Sequence, residues 1–148
     1  MDTVNLGSTG LRVSRACLGT MTFGRQANEA EATRIVDRAL EAGITFIDTA
    51  DAYPIPPDIT TNGLTEEIVG KIIDGRRDQV VLATKCHFPM GPAAHQRGNG
   101  RLHIRRSVEA SLQRLRTDWI DLFQVHQIDE HTPVEETLDV LEDLRREG

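Results

Sequence analysis

The sequence contains few cysteines and no long hydrophobic run, and each shortage excludes a class of protein. Its two cysteines, Cys17 and Cys86, are too few for a disulfide framework or a zinc site. No apolar stretch approaches the roughly 20 residues that a membrane-spanning helix requires. Residues 1–5 carry neither the basic nor the apolar segment of a secretory signal. We therefore expect a cytoplasmic protein without membrane association, whose cysteines are small core residues.

Basic residues are also in the minority. The 148 residues include 17 lysines and arginines against 23 aspartates and glutamates, which gives a net charge of −6. A nucleic-acid-binding domain needs clustered basic residues for phosphate contacts, so this balance argues against one. One basic concentration follows residue 100, and we interpret it as the solvated face of a helix; it contains Arg101, Arg105, Arg106, Arg114 and Arg116.

Short apolar runs alternate with helical patterns along the chain. Residues 4–6 and 11–13 flank a turn bounded by glycines and predict a hairpin. Each of four further runs precedes a segment with helical spacing of apolar residues; the runs are 15–19, 44–47, 80–84 and 120–125. This alternation predicts a parallel sheet with right-handed crossovers. We therefore predict one α/β domain over residues 1–148, with an N-terminal β-hairpin and four β-α units.

Two of the predicted helices begin with capping patterns. Asn28 with Glu31, and Thr132 with Glu135, fit the capping box, in which an N-cap side chain and a later glutamate bind free backbone N–H groups. Gly43 marks the end of the first of these helices. Helical spacing predicts the buried faces of the last two helices: Ile104, Val108, Leu112 and Leu115, then Val134, Leu138, Leu141 and Leu144.

Three of the apolar runs end at an ionisable residue. Asp48, Lys85 and His126 each stand directly after a predicted strand, and Tyr53 follows Asp48 by five positions. The carboxyl ends of parallel strands converge on one face of an α/β barrel, so we expect these four side chains to cluster there. Each residue alone has a structural explanation, such as a solvated lysine at a strand end. Three charged strand ends on one side nevertheless favour a functional cluster.

These side chains suit the reduction of a carbonyl group. The reaction needs a hydride donor, which no amino acid supplies, and an acid that protonates the new alkoxide. A nearby ammonium favours the phenolate form of a tyrosine, so Lys85 could activate Tyr53 while Asp48 holds the lysine. A neutral His126 could donate a hydrogen bond to the carbonyl oxygen and orient it.

A metal site is the weaker interpretation of the same region. The candidate ligands would be His126, Asp129, Glu130 and His131. They fall in a strand-to-helix loop, and their spacing matches no zinc or iron pattern. We therefore predict no metal ligand.

The segments around these residues resemble the aldo-keto reductase family. Residues 46–53, Phe-Ile-Asp-Thr-Ala-Asp-Ala-Tyr, are similar to the family signature around its catalytic aspartate and tyrosine. Residues 63–70 resemble the helix that follows the signature, and residues 6–14 resemble the hairpin that closes the bottom of the barrel. Residues 82–85 and 119–126 are similar to the strands that bear the catalytic lysine and histidine.

The resemblance implies a (β/α)8 TIM barrel that binds NADPH and reduces a small carbonyl substrate. The family's catalytic positions match Tyr53 as general acid, Lys85 and Asp48 as its tuning pair, and His126 as the group that orients the carbonyl. The positions that contact NADPH near its nicotinamide match Gly19, Thr20, Met21 and Asp48. The substrate pocket is expected beside Tyr53 and His126, with His87 and Phe88 as further candidates.

The family's barrel has eight β-α units, whereas four are predicted here. The resemblance therefore implies half of the barrel, and we expect a truncated chain or a fragment of a longer enzyme, in which reduction is impaired. Half a barrel leaves two sheet edges and an apolar inner face uncovered, so self-association through them is a further expectation. The alternative is a catalytically silent chain that binds NADP(H) or a protein partner, because the same family includes channel-associated subunits.

Overall fold

A computed structural model describes residues 1–148 as a β-hairpin followed by four alternating strands and helices. The hairpin pairs two antiparallel strands, β1 (Thr3–Asn5) and β2 (Arg12–Ser14). One parallel sheet contains, in chain order, β3 (Cys17–Gly19), β4 (Phe46–Asp48), β5 (Val81–Cys86) and β6 (Leu122–Val125).

A helix follows each strand of this parallel sheet. The helices are α1 (Glu29–Glu41), α2 (Leu64–Ile73), α3 (Arg101–Leu115) and α4 (Val134–Glu147), and a short 3₁₀ turn (Arg77–Gln79) precedes β5. None of the four is both long and apolar enough to cross a bilayer. The architecture confirms the predicted α/β class, with a hairpin and four β-α units that form half of a (β/α)8 barrel.

The sheet packs one face against the helices and leaves the other face open. Successive residues of a strand point to opposite faces, and the strand register places Asp48 beside Gly19 and Lys85 beside Gln124. The helix-facing side holds the main core, which consists of Phe23, Ala32, Val36, Ile47, Ile68, Val69, Ile72, Ile73, Val80, Leu82 and Leu115. The open side therefore carries the polar residues of the strand ends.

Helix α1 begins at the predicted capping box. The Glu31 N–H donates to the Asn28 side chain at 3.0 Å, and the Asn28 N–H donates to the Glu31 carboxylate at 2.9 Å. Gly43, with a φ of +78°, lies just past the helix in the left-handed region that glycine adopts without steric cost. Both predicted ends of this helix are confirmed.

The predicted capping box of α4 is wrong. Pro133 occupies the N-cap position, and no side chain caps the helix. The Thr132 hydroxyl donates to the Asp129 carboxylate at 2.7 Å instead. The Thr132 hydroxyl is therefore bonded to a carboxylate of the preceding loop and does not cap the helix, although the sequence pattern predicted that it would.

The predicted buried stripe of α4 is only half correct. Val134 and Leu138 are 61% and 58% exposed, whereas Val140 is fully buried and Leu141 and Leu144 pack against its cluster. Helix α4 packs mainly against α3, at the edge of the sheet. One apolar row of the helix therefore faces the core, and the row that contains Val134 and Leu138 faces away.

The buried face of α3 contains more polar residues than its apolar spacing predicted. Ile104 and Leu115 are fully buried as predicted, but Val108 and Leu112 are only partly buried. The small residues Ser107, at 5% exposure, and Ser111, at 0%, are buried in place of two of the predicted apolar residues. Helices α2 and α3 approach closely at Gly70 of α2, where an added β-carbon would clash with the backbone of Arg114 and Leu115.

The predicted solvated face is confirmed at Arg101, Arg106 and Arg116, which are exposed. Several of the five arginines also form ion pairs with neighbouring helices, which the sequence did not predict. Arg114 pairs at 2.7 Å with Glu66 of α2, whose side chain is fully buried. Two pairs link α3 to α4, Arg101 with Asp143 and Arg105 with Glu147. These arginines connect the last three helices to one another.

The two cysteines lie in different surroundings. Cys86 is fully buried as predicted. The prediction of a core position is wrong for Cys17, which is exposed. Its strand, β3, is an edge strand, and Cys17 shares the open face of the sheet with Gly19.

Candidate active site

The carboxyl ends of β4 and β5 bring together a lysine and an aspartate that are 37 residues apart in sequence. Lys85 Nζ donates to Asp48 Oδ2 at 2.6 Å and to the Thr49 carbonyl at 2.7 Å. The side chains of Lys85 and Asp48 are only 13% and 26% exposed, so water weakens the ion pair less than it would at the surface. Two of the three ammonium N–H groups are therefore engaged, and one is free to face the open side.

Tyr53 lies beside this ion pair, in the loop that leaves β4. Its ring centroid is 5.2 Å from Lys85 Nζ. The Asp51 N–H donates to the Lys85 carbonyl at 3.0 Å, and the Tyr53 N–H donates to the Ala50 carbonyl at 3.2 Å. These backbone contacts fix the loop against the end of β5 and hold the phenol near the ammonium.

His126 completes the group of four predicted residues. Its N–H donates to the Cys86 carbonyl at 2.9 Å, which continues the pairing of β5 with β6. Its ring meets the Tyr53 ring edge-on at 5.8 Å between centroids, and Phe88 packs against it at 4.9 Å. Burial lowers the pKa of His126, Lys85 lowers it further, and Asp48 opposes them. The imidazole is therefore neutral at pH 7.

The buried Nδ1 atom of His126 decides which ring nitrogen carries the proton. Nδ1 has no hydrogen-bond partner. A neutral imidazole has one donor nitrogen and one acceptor nitrogen, and a buried N–H without an acceptor is costly. The tautomer with the proton on Nε2 is therefore favoured, and it offers one donor to a ligand at the open face.

The residues predicted to contact the cofactor lie beside Asp48, but their side chains differ in exposure. Gly19 pairs with Asp48 across β3 and β4, and a β-carbon added to Gly19 would meet no atom within 4 Å. Met21 is 46% exposed. Thr20 is fully buried, and its hydroxyl donates to the Asp48 carbonyl at 2.9 Å. Gly19 and Met21 thus border open space, whereas Thr20 holds the backbone of Asp48.

Gln124 contacts the same aspartate and was not predicted. Its Nε2 donates to Asp48 Oδ1 at 3.4 Å, while Oδ2 is bound to Lys85. Gln124 lies opposite Lys85 in the register of β5 and β6. The sequence could have predicted this contact, because Gln124 stands two positions before His126 and side chains two apart in a strand share one face.

A buried polar cluster lies behind the loop between Asp48 and Tyr53, the tyrosine loop, and was also not predicted. Asp51 and Glu66 are both 0% exposed. The Glu66 carboxylate accepts from the Thr84 hydroxyl at 2.6 Å and from Arg114 at 2.7 Å. Helix α2 supplies Glu66 and α3 supplies Arg114, so no single segment of sequence showed the cluster.

A polar cavity of about 610 Å³ lies between the loops that follow β5 and β6. Its walls include His87, Arg97, Asp129 and His131. Asn99 ties the two loops together, since its amide donates to the Gln127 carbonyl at 2.9 Å and its Oδ1 lies 2.9 Å from His87 Nδ1. The His87 ring packs edge-on against Phe88, which connects the cavity wall to His126.

Comparison with known proteins finds related sequences along nearly the whole chain. The model of the aldo/keto reductase family matches residues 15–148. The chain is 47% identical, over its full length and 47% of the relative's length, to the uncharacterized oxidoreductase YrpG of Bacillus subtilis. It is 41% identical to the aldo-keto reductase YhdN of the same organism, over the full chain and 44% of that protein.

A third relative is named as a channel subunit rather than as an oxidoreductase. A probable voltage-gated potassium channel subunit beta of Arabidopsis thaliana is 38% identical over 93% of the chain and 41% of that protein. The chain thus spans about half the length of the curated relatives it matches.

Proposed function

The chain belongs to the aldo/keto reductase family, and on this basis we propose that it carries the proton-transfer site of an NADPH-dependent oxidoreductase that reduces aldehydes or ketones to alcohols. One observation supports the proposal most. The Lys85–Asp48 ion pair, with a separation of 2.6 Å, stands beside the ring of Tyr53, the one tyrosine of the chain. An ammonium held next to a phenol prepares the phenol for proton transfer.

Tyr53 is the proposed general acid. It protonates the oxygen of the carbonyl group as this oxygen becomes an alkoxide. Lys85 stabilises the phenolate that remains, and Asp48 keeps the lysine in place. The largely buried position of Lys85 supports this role, because the interaction between two charges is stronger where water is partly excluded.

His126 is the proposed donor that orients the substrate. Its neutral ring, protonated on Nε2, can give one hydrogen bond to the carbonyl oxygen that Tyr53 protonates. The edge-on packing of Phe88 and Tyr53 on the imidazole limits its rotation. The small carbonyl substrate would therefore bind between the phenol and the imidazole.

The rim beside Asp48 fits the nicotinamide end of NADPH. The unfilled space over Gly19 gives room for a flat ring next to Asp48. Gly19, Met21 and Asp48 are the proposed contacts, and Thr20 supports them by binding the Asp48 carbonyl. When bound, NADPH supplies the hydride that no side chain can provide.

Replacement of Tyr53 by phenylalanine tests the assignment of the acid. We expect Tyr53→Phe to lower the rate of NADPH oxidation with 4-nitrobenzaldehyde by at least about 100-fold, the usual range for loss of a general acid. NADPH binding, followed by the fluorescence of NADPH itself, should be unchanged. Ser8→Ala, which removes an exposed hydroxyl in the hairpin turn, is the control and should react like the original chain. Equal rates for Tyr53→Phe and the original chain would refute the proposal.

A second candidate function is binding of NADP(H) or a protein partner without turnover. The relative named as a potassium channel subunit favours it, because that name describes assembly with a channel rather than catalysis. The same assay separates the two candidates. NADPH binding without measurable oxidation, in both the original chain and Tyr53→Phe, would favour the silent protein.

A further inference from the structure

The cluster behind the tyrosine loop contains more acid than base. Asp51 and Glu66 are both fully buried, and the one cation of the cluster, Arg114, has its side chain 18% exposed and is paired with Glu66 alone. Arg114 binds Glu66, and the Thr84 hydroxyl donates to the other oxygen of Glu66. Neither carboxyl oxygen of Asp51 has a hydrogen-bond partner. If both acids were ionised, one negative charge would stay buried without compensation.

The other groups around Asp51 do not compensate for that charge. Two neutral donors, the Ser107 hydroxyl on α3 and the Ala52 N–H, lie near enough to lower the Asp51 pKa, but neither carries a charge. His103 lies 3.5 Å from the Ser107 hydroxyl. Burial lowers the pKa of His103, so its ring is neutral. On β5, burial raises the pKa of Cys86, so the thiol keeps its proton. Arg114 is therefore the only positive charge that faces the pair.

The physical consequence is that a proton stays bound to the cluster. An uncompensated buried carboxylate costs several kcal/mol, and the usual response is that the group remains protonated. Burial raises the pKa of Asp51 to about 8, and the Glu66 charge raises it as well, while Arg114 opposes both. Glu66 holds the arginine and the hydroxyl, so Asp51 is the acid that keeps the proton.

We propose that Asp51 is a positioning residue that acts as a neutral carboxylic acid and holds the loop between Asp48 and Tyr53 in place. The Asp51 N–H donates to the Lys85 carbonyl at 3.0 Å, so a shift of Asp51 moves the loop relative to Lys85. Loss of the proton to solvent places a second negative charge behind the loop. The loop then moves toward water, and the Tyr53 ring moves with it.

This proposal does not depend on turnover, so stability measurements test it directly. Unfolded Asp51 releases its proton near pH 4, whereas folded Asp51 keeps it up to about pH 8. The unfolded state therefore binds fewer protons over this window, and stability falls as pH rises through it. Asp51→Asn removes this dependence. We expect the urea midpoint of the original chain to fall by on the order of 1 M, relative to Asp51→Asn, between pH 5 and pH 8.

Infrared spectroscopy detects the proton itself. The original chain at pH 6.5 should show the C=O stretch of a protonated carboxylic acid, and Asp51→Asn should lack it. In Glu66→Gln the repulsion from the second carboxylate is gone, so the band should disappear at a lower pH than in the original chain. This second variant also keeps the test available if Asp51→Asn fails to fold.

Tyr53 reports the position of the loop, because a chain labelled with ¹³C-tyrosine gives one set of ring signals. We expect these NMR signals to shift and broaden between pH 6.5 and 8.5 in the original chain, and to stay unchanged in Asp51→Asn. Identical urea and infrared profiles for the two proteins would show that Asp51 is ionised and would overturn the proposal. A protonated Asp51 whose titration leaves the Tyr53 signals unmoved would overturn its positioning role.

Discussion

Single ion pairs of the chain differ in how far water weakens them. The side chains of Arg114 and Glu66 are 18% and 0% exposed, whereas those of Arg116 and Asp74 are 51% and 60% exposed. An exposed pair contributes little, because both charges are well hydrated when they separate. A buried carboxylate that loses its cation has no such alternative.

Replacement of the two arginines by methionine measures this difference. We expect Arg114→Met to lower the free energy of unfolding by about 3–5 kcal/mol, because Glu66 would remain buried without its cation. Arg116→Met is the matched control on the same helix end, with an expected change below about 1 kcal/mol. Urea denaturation gives both values. A similar small loss for both variants would show that Glu66 takes up a proton at little cost when Arg114 is absent.

A site residue could be predicted from the sequence when it follows a strand, but not when it lies on a helix. Asp48, Lys85 and His126 directly follow β-like runs, so the convergence of parallel strand ends was enough to bring them together. The partners of the buried cluster are not marked in this way. Glu66 and Arg114 are 48 residues apart on two helices, and only the packing of α2 on α3 joins them.

Helices α1 and α4 show how far a local pattern determines an element. In both, a capping sequence precedes a run of helical spacing, yet only Asn28 caps its helix. In the capping box of α1, Asn28 and Glu31 form both hydrogen bonds with each other and require no further residue. The hydroxyl of Thr132 has a competing acceptor, Asp129, which a pattern of four residues does not include. The existence of both helices was therefore predictable from the sequence, whereas the N-terminal cap of α4 depends on contacts with the preceding loop.

The cap of α1 gives a prediction at the scale of the element. We expect Asn28→Ala to destabilise the chain by about 1 kcal/mol, because the N–H of Glu31 loses its acceptor at the helix start. Asn28→Ser should stay within a few tenths of a kcal/mol, since serine caps helices about as well. Thermal unfolding followed by circular dichroism measures both. Equal losses for alanine and serine would contradict the capping role.

The whole molecule has a parallel sheet with two unpaired edges. β3 pairs only with β4, and β6 pairs only with β5. Apolar side chains of the segment that follows β6 are also exposed, with Ile128 of the loop at 90% and Leu138 of α4 at 58%. Unpaired backbone groups and exposed apolar surface favour contact with a further chain.

We therefore expect the 148-residue chain to associate through these edges. Light scattering coupled to size exclusion should show a mass that rises with protein concentration in the micromolar to millimolar range. Leu138→Lys should reduce the association, because a charge at this exposed site opposes apolar contact without disturbing the core. A constant monomer mass up to on the order of 100 μM would contradict the expectation.

The exposed thiol of Cys17 makes coverage of the open sheet face measurable. Partial burial and the neighbouring Asp48 raise the pKa of Cys17 to about 11, while Lys85 opposes them, so the thiol is unionised and reacts slowly at neutral pH. The second cysteine, Cys86, is fully buried and does not compete for a reagent. The rate at which a thiol-specific label modifies Cys17 in the native chain thus shows whether another polypeptide covers the open face of the sheet. No engineered cysteine is needed.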